Sequence, residues 1–196
     1  MSTVDARPVL YLFSRMLDYP QADTRGDSAE CANLLTGLAP EAIPFVESFE
    51  RFLSAQPLGK VEEVYTSMFD MNVTHAPYIG YHLFGETYKR SSFMISLRER
   101  YANSGFFYDG IELPDHLAVL LQFLSVNKDA EVERSLVSES LLPALQKMVD
   151  AKPLDRSNFP KASEPYKDVE RALLLVLQRV NAAWNPDQAN AGGLNG

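Results

Sequence analysis

The stretch ARPVLYLFSRMLDYP, residues 6–20, sets the period on which the chain is built. Val9, Leu10, Leu12, Phe13, Met16 and Leu17 recur at offsets of three and four, which gathers them on one face of an α-helix and fits no alternating strand. The spacing predicts a first helix of about three turns, stopped at Asp18-Tyr19-Pro20. The same spacing continues downstream. A second helix is expected over Ser28–Leu38, broken by Gly37, and a third from Glu41 to Ser54 on the stripe Ile43, Val46, Phe49, Phe52 and Leu53. Val61, Val64, Tyr65, Met68 and Phe69 give a fourth. No segment sustains period-two alternation and no internal repeat is present, so the expected class is all-α, a single-domain helical globule.

After Asp70 the period is lost. MNVTHAPYIGYHLFGE, residues 71–86, is rich in aromatics and interrupted by Pro77, Gly80 and Gly85, and reads as a loop with a short helix. A long helix follows from Thr87 to Asn103 with Met94, Leu97 and Tyr101 inward, stopped by Ser104-Gly105. Then comes YDGIELPDHL, residues 108–117, in which Glu112, Asp115 and His116 surround Pro114 just ahead of the apolar run AVLLQFL. Pro114 suits the first turn of a helix and Asp115 the positive end of its dipole, so the bland reading of this motif is a capped helix start. That helix extends to Val126, and another spans Val132–Asp150 with a break near Pro143. The proline-bearing stretch at 151–165 reads as a linker or wrapping loop, and Tyr166–Trp184 as a last helix with LLLVL facing the core. One helical domain is therefore expected over 1–184, with a polar, disordered tail at 185–196.

Composition narrows the function. The formal net charge of -8 disfavours nucleic acid and anionic membrane surfaces as partners and favours a cationic peptide. A single cysteine, Cys31, excludes an internal disulfide and any Cys-rich metal site, and reads as a small core residue. With no export signal and no run of about 18 apolar residues, a cytoplasmic protein without a membrane segment is expected. The histidines lack metal-site spacing, since His75 and His82 are separated by Pro77 and Gly80 and no H-E-x-x-H occurs. No nucleophile elbow, phosphate loop or dinucleotide fingerprint is present, so neither catalysis nor a bound cofactor is expected.

A binding role has positive support. Tyr65, Phe69, Tyr78, Tyr81, Phe84 and Tyr88 exceed what one buried stripe requires, and acidic residues stand beside them. Aromatic walls with a carboxylate rim suit an amphipathic peptide bearing arginines, with Glu112 and Asp115 as the arginine partners. Protonation of His116 near neutral pH would weaken that attraction.

Three runs then show a resemblance. YTSMFD, GYHLFGETYKRSSFMISLRERYANSGF and ELPDHLAVLLQFL, together with the early LYLFSRMLDYP, resemble the NarJ-like branch of the TorD/DmsD/NarJ chaperones, which mature molybdenum oxidoreductases. The similarity covers about Leu10 to Leu124. It implies an all-helical bundle of TorD-like type and a cytoplasmic chaperone that is not an enzyme. The implied partner is the catalytic subunit of a molybdenum oxidoreductase, bound through its N-terminal leader or leader-like peptide. The molybdopterin guanine dinucleotide cofactor belongs to that client. By resemblance, Glu112, Asp115 and His116 correspond to the functional loop and helix start, and Tyr78, Tyr81, His82, Phe84 and Glu86 to the aromatic segment. The alternatives are a helical interaction adaptor for another cytosolic partner, using the same groove, and a small metal-dependent hydrolase. A monomer and a domain-swapped dimer are both compatible with the connection at 151–165.

Overall fold

The computed structural model describes residues 5–108, 110–151 and 164–184, and within them the protein is all-α. In chain order the helices are α1 (Arg7–Met16), α2 (Thr24–Leu38), a 3-10 turn at Pro40–Ala42, α3 (Ile43–Ala55), α4 (Leu58–Phe69), α5 (Ile79–Phe84), α6 (Tyr88–Asn103), α7 (Leu117–Val126), α8 (Ala130–Ser135), a π-helical turn at Leu136–Leu141, α9 (Leu142–Val149) and α10 (Glu164–Trp184). The expected linker between the last two helices falls largely, and the expected tail wholly, outside the described residues.

The quoted stretch does what its period demands. Val9, Leu10, Leu12, Phe13 and Met16 of α1 are buried, and α1 packs on α2 and α7. α7 is apolar all round, with Leu117, Ala118, Val119, Leu120, Leu121, Phe123 and Leu124 buried, so it runs through the core rather than along its edge. α10 lies against α3 and α9 and buries Leu173, Leu174, Val176 and Leu177. Each such side chain contributes roughly 1.5–3 kcal/mol on leaving water.

Four local expectations need correction. α2 begins at Thr24 and is not broken at Gly37, an exposed helical position where the missing side chain costs about 1 kcal/mol; Leu35 and Leu38 on either side are buried, and the helix stops before Pro40. The predicted kink near Pro143 is spread over the π-helical turn just upstream, whose wider register accommodates a proline that has no N–H to return to the preceding turn. Pro114 and Asp115 precede α7 instead of starting it, because they form a turn closed by the His116 N–H on the Leu113 carbonyl, and His116 after them is extended. Tyr65 and Phe69 belong to the core, where both rings pack against Tyr166, and Tyr166 in turn meets Phe49.

Candidate functional site

The turn at Pro114–Asp115 and the extended His116 ahead of α7 are explained by what they pair with. Ile79 N–H donates to the Asp115 carbonyl at 2.8 Å and Leu117 N–H to the Pro77 carbonyl at 2.7 Å, an antiparallel bridge centred on Tyr78 and His116. Two segments that are over thirty residues apart, each irregular by sequence, thereby become one site. The Tyr101 hydroxyl donates to the Pro114 carbonyl at 2.7 Å, which fixes the turn to α6. His116 is the N-cap of α7, its Nδ1 accepting from Ala118 N–H at 3.2 Å.

Side chains complete the junction. The Tyr78 hydroxyl donates to Glu112 Oε2 at 2.8 Å, and the Tyr78 ring meets His116 edge-on with centroids 5.4 Å apart. Arg90, on the first turn of α6, donates from Nε to Asp115 Oδ2 at 2.9 Å and from an Nη to Glu86 Oε1 at 3.1 Å. Its guanidinium lies 5.4 Å from the Tyr78 ring centroid and 6.0 Å from that of Tyr81. Gly80 makes this approach feasible, since a Cβ there would sit 2.7 Å from Asp115 Oδ2 and 3.0 Å from Phe93.

Of the residues expected at the site, Tyr78, Tyr81, Glu86, Glu112, Asp115 and His116 converge on this junction. The other two make their polar and ring contacts at its margin: His82 lies edge-on to Tyr81 and donates from Nε2 to the Ala76 carbonyl at 2.7 Å, and Phe84 packs on Phe93 at 5.6 Å. Tyr88 is 82% exposed and stands apart from any aromatic wall. Asp115 differs most from expectation, being fully buried and already ion-paired within the chain. Arg90 and Gly80 escaped sequence reasoning; the four-residue spacing of Glu86 and Arg90 was the one signal available for the arginine.

Burial shapes the chemistry. It pushes His116 below the usual imidazole range, although Glu112, Asp18 and Asp115 pull the other way, and a ring accepting at Nδ1 is a neutral ring. His82 is lowered for the same reason. The Tyr78 phenol is pushed up to about 12 by burial and then by Glu112, which keeps it a donor. At the far end of the loop, His75 Nδ1 reaches both oxygens of Glu170 at 3.1 and 2.9 Å, in a pair shielded from solvent. Burial raises the Glu170 carboxyl against that hydrogen bond. The Cys31 thiol, buried in α2, is pushed up to about 12, so it carries little nucleophilic character. Among the described residues, no group of three or more His, Cys, Asp or Glu side chains is placed to hold a metal, and no helix is long and apolar enough to cross a membrane.

The chain is similar to a set of known proteins. A family model described as nitrate reductase delta subunit matches residues 36–189. A Bacillus subtilis (strain 168) protein named probable nitrate reductase molybdenum cofactor assembly chaperone NarJ is 26% identical over 182 residues, covering 92% of this chain and 94% of that protein. The nitrate reductase molybdenum cofactor assembly chaperone NarJ of Escherichia coli (strain K12) is 26% identical over 130 residues, which span 65% of this chain and 55% of that protein. A crystal structure designated a redox enzyme maturation protein, from Archaeoglobus fulgidus, superposes with a TM-score of 0.58 over 87% of this chain and 94% of its own, at 23% identity, and shares the fold.

Proposed function

The chain belongs to the nitrate reductase delta subunit family, and on that premise we propose that it is a cytoplasmic maturation chaperone for a molybdenum oxidoreductase. Its helical domain, residues 1–184, binds the N-terminal segment of the client's catalytic subunit and holds the apo-subunit while the molybdopterin guanine dinucleotide cofactor is inserted. The relatives are named as assembly chaperones rather than catalysts, so the reading assigns this chain neither a reaction nor a cofactor of its own.

One observation carries the peptide-binding part. Tyr78, Tyr81, Glu86 and Asp115 meet around a guanidinium, with Glu112 held beside them on the Tyr78 hydroxyl, and this setting suits the side chain that an arginine-bearing leader would bring. The net charge of -8 adds long-range attraction for a basic segment. Two exposed apolar side chains, Phe107 at 84% and Ile111 at 100%, stand on the loop leading to Glu112 and offer the apolar half of such a peptide a place to rest.

The test is a titration with a fluorescent peptide taken from the N-terminus of the molybdoenzyme catalytic subunit encoded beside this protein. Saturable binding is expected, weakened about tenfold by Glu112→Gln and by replacing the peptide's arginines with glutamine, the loss of one charge-assisted hydrogen bond being worth about 1.5 kcal/mol. Binding indifferent to both changes would remove leader recognition from this site. The exposed Phe107 and Ile111 equally favour an adaptor for some other partner, which absence of peptide binding together with stoichiometric copurification of an unrelated cytosolic protein would support.

A further inference from the structure

Asp115 is only half satisfied among the described residues. Arg90 approaches Oδ2 with Nε alone, and Oδ1, buried from solvent, has no hydrogen-bond partner among the described residues. A buried structural pair is normally held as a fork, two donors on two oxygens, because an orphaned acceptor costs the desolvation it underwent. Here the second arm of Arg90 is turned outward to Glu86, whose side chain is 78% exposed. The guanidinium thus spans a buried acceptor and a solvent-facing one, and can let go of the first while keeping the second.

The surroundings are built for a planar cation rather than for Arg90 as such. Tyr78 and Tyr81 flank it, and Gly80 removes the one Cβ that would crowd Asp115. We infer that the Asp115–Tyr78–Tyr81 pocket is a guanidinium-binding site which Arg90 fills from within, and that an arginine of the client takes the pocket by displacing Arg90 toward Glu86. The displacement rests on the peptide-binding reading above; the pocket does not. In exchange for one monodentate contact the incoming group makes two, using the orphaned Oδ1 as well as Oδ2. Arg90 then acts as a placeholder that keeps the buried carboxylate paired whenever no client is present, since an unpaired buried charge would destabilise the empty protein.

The pocket is tested without any client. Thermal unfolding of Arg90→Ala is followed with ethylguanidinium or ethylammonium at about 10 mM, where a millimolar dissociation constant corresponds to a rise in Tm of about 3 °C. The rise is expected with ethylguanidinium alone, and is expected to vanish in the double variant Arg90→Ala/Asp115→Asn. Equal responses to the two cations would overturn the pocket. Displacement is tested by the client peptide of the preceding experiment, which should bind Arg90→Ala about tenfold more tightly than wild type. Should Arg90→Ala not fold, Arg90→Lys, which keeps a cation but loses the planar group, replaces it, and a threefold gain is expected. Unchanged or weaker peptide binding in these variants would make Arg90 a structural anchor and end the placeholder idea. A peptide that binds no form would sink the client reading and the displacement together, while the ethylguanidinium result would still decide the pocket.

Discussion

Two fully buried carboxylates, Glu170 and Asp115, stand at opposite ends of the irregular segment and are treated differently. Glu170 is closed: one imidazole nitrogen of His75 bonds both of its oxygens, and the pair clasps the loop after α4 to the long C-terminal helix. Asp115 is open: a single nitrogen of Arg90 reaches one oxygen, and the other has no partner among the described residues. The contrast separates a lock from a site. Burial alone does not tell the two apart; completeness of hydrogen bonding does.

The sharpest way to break this distinction is to remove the imidazole from the lock. His75→Ala should cost about 3–5 kcal/mol, the usual penalty for stranding a buried charge, in urea unfolding, while leaving the client-peptide affinity of the folded protein unchanged. A loss of affinity would mean that the lock and the site are one unit. Gly80→Ala comes next, with about 1–3 kcal/mol of destabilisation expected from forcing a methyl against Asp115 Oδ2 and Phe93, this time with peptide binding lost as well.

The pH profile sharpens the comparison further, because the two ends respond with opposite sign. His116 and His82 are lowered from 6.5, so their contribution is present above that pH and is lost as the pH falls toward their folded values. Glu170 is raised from 4.5, so its contribution is fully present below that pH and is lost as the pH rises through its folded value. The two histidines should therefore weaken wild type in urea melts on going below about pH 6.5, against an opposing gain from Glu170. His116→Asn, which keeps a capping acceptor and cannot be protonated, should flatten that decline. An equal slope in the variant would exonerate His116. The smallest effect expected is that of Tyr78→Phe, about 1 kcal/mol from the lost hydroxyl contact with Glu112, measurable by chemical unfolding.

What could be read from residues alone followed distance along the chain. The helices were legible because their signal repeats every three or four residues, as in Val9 to Leu17, and their cores form wherever such stripes meet. The start of α7 was misread because the features that normally open a helix, Pro114 and Asp115, here form a turn, and His116 after them is held extended by a bridge to the Pro77–Ile79 segment, over thirty residues earlier. Glu112, Asp115 and His116 stood out by adjacency. Their partner Arg90 did not, because an ion pair across 25 residues leaves no local pattern, and the His75–Glu170 pair spans 95. Tyr65 and Phe69 were drawn into the site by kinship of residue type, whereas their four-residue spacing on α4 already assigned them to the core.

The bridge between Tyr78 and His116 also provides two built-in reporters. Its amides, on Ile79 and Leu117, belong to residues shielded from solvent, and both are bonded across the junction rather than within a helix. Their hydrogen–deuterium exchange therefore registers separation of the two segments independently of helix fraying elsewhere. A ligand that wedges the segments apart will speed exchange at both amides together, and one that settles on their outer surface will slow it.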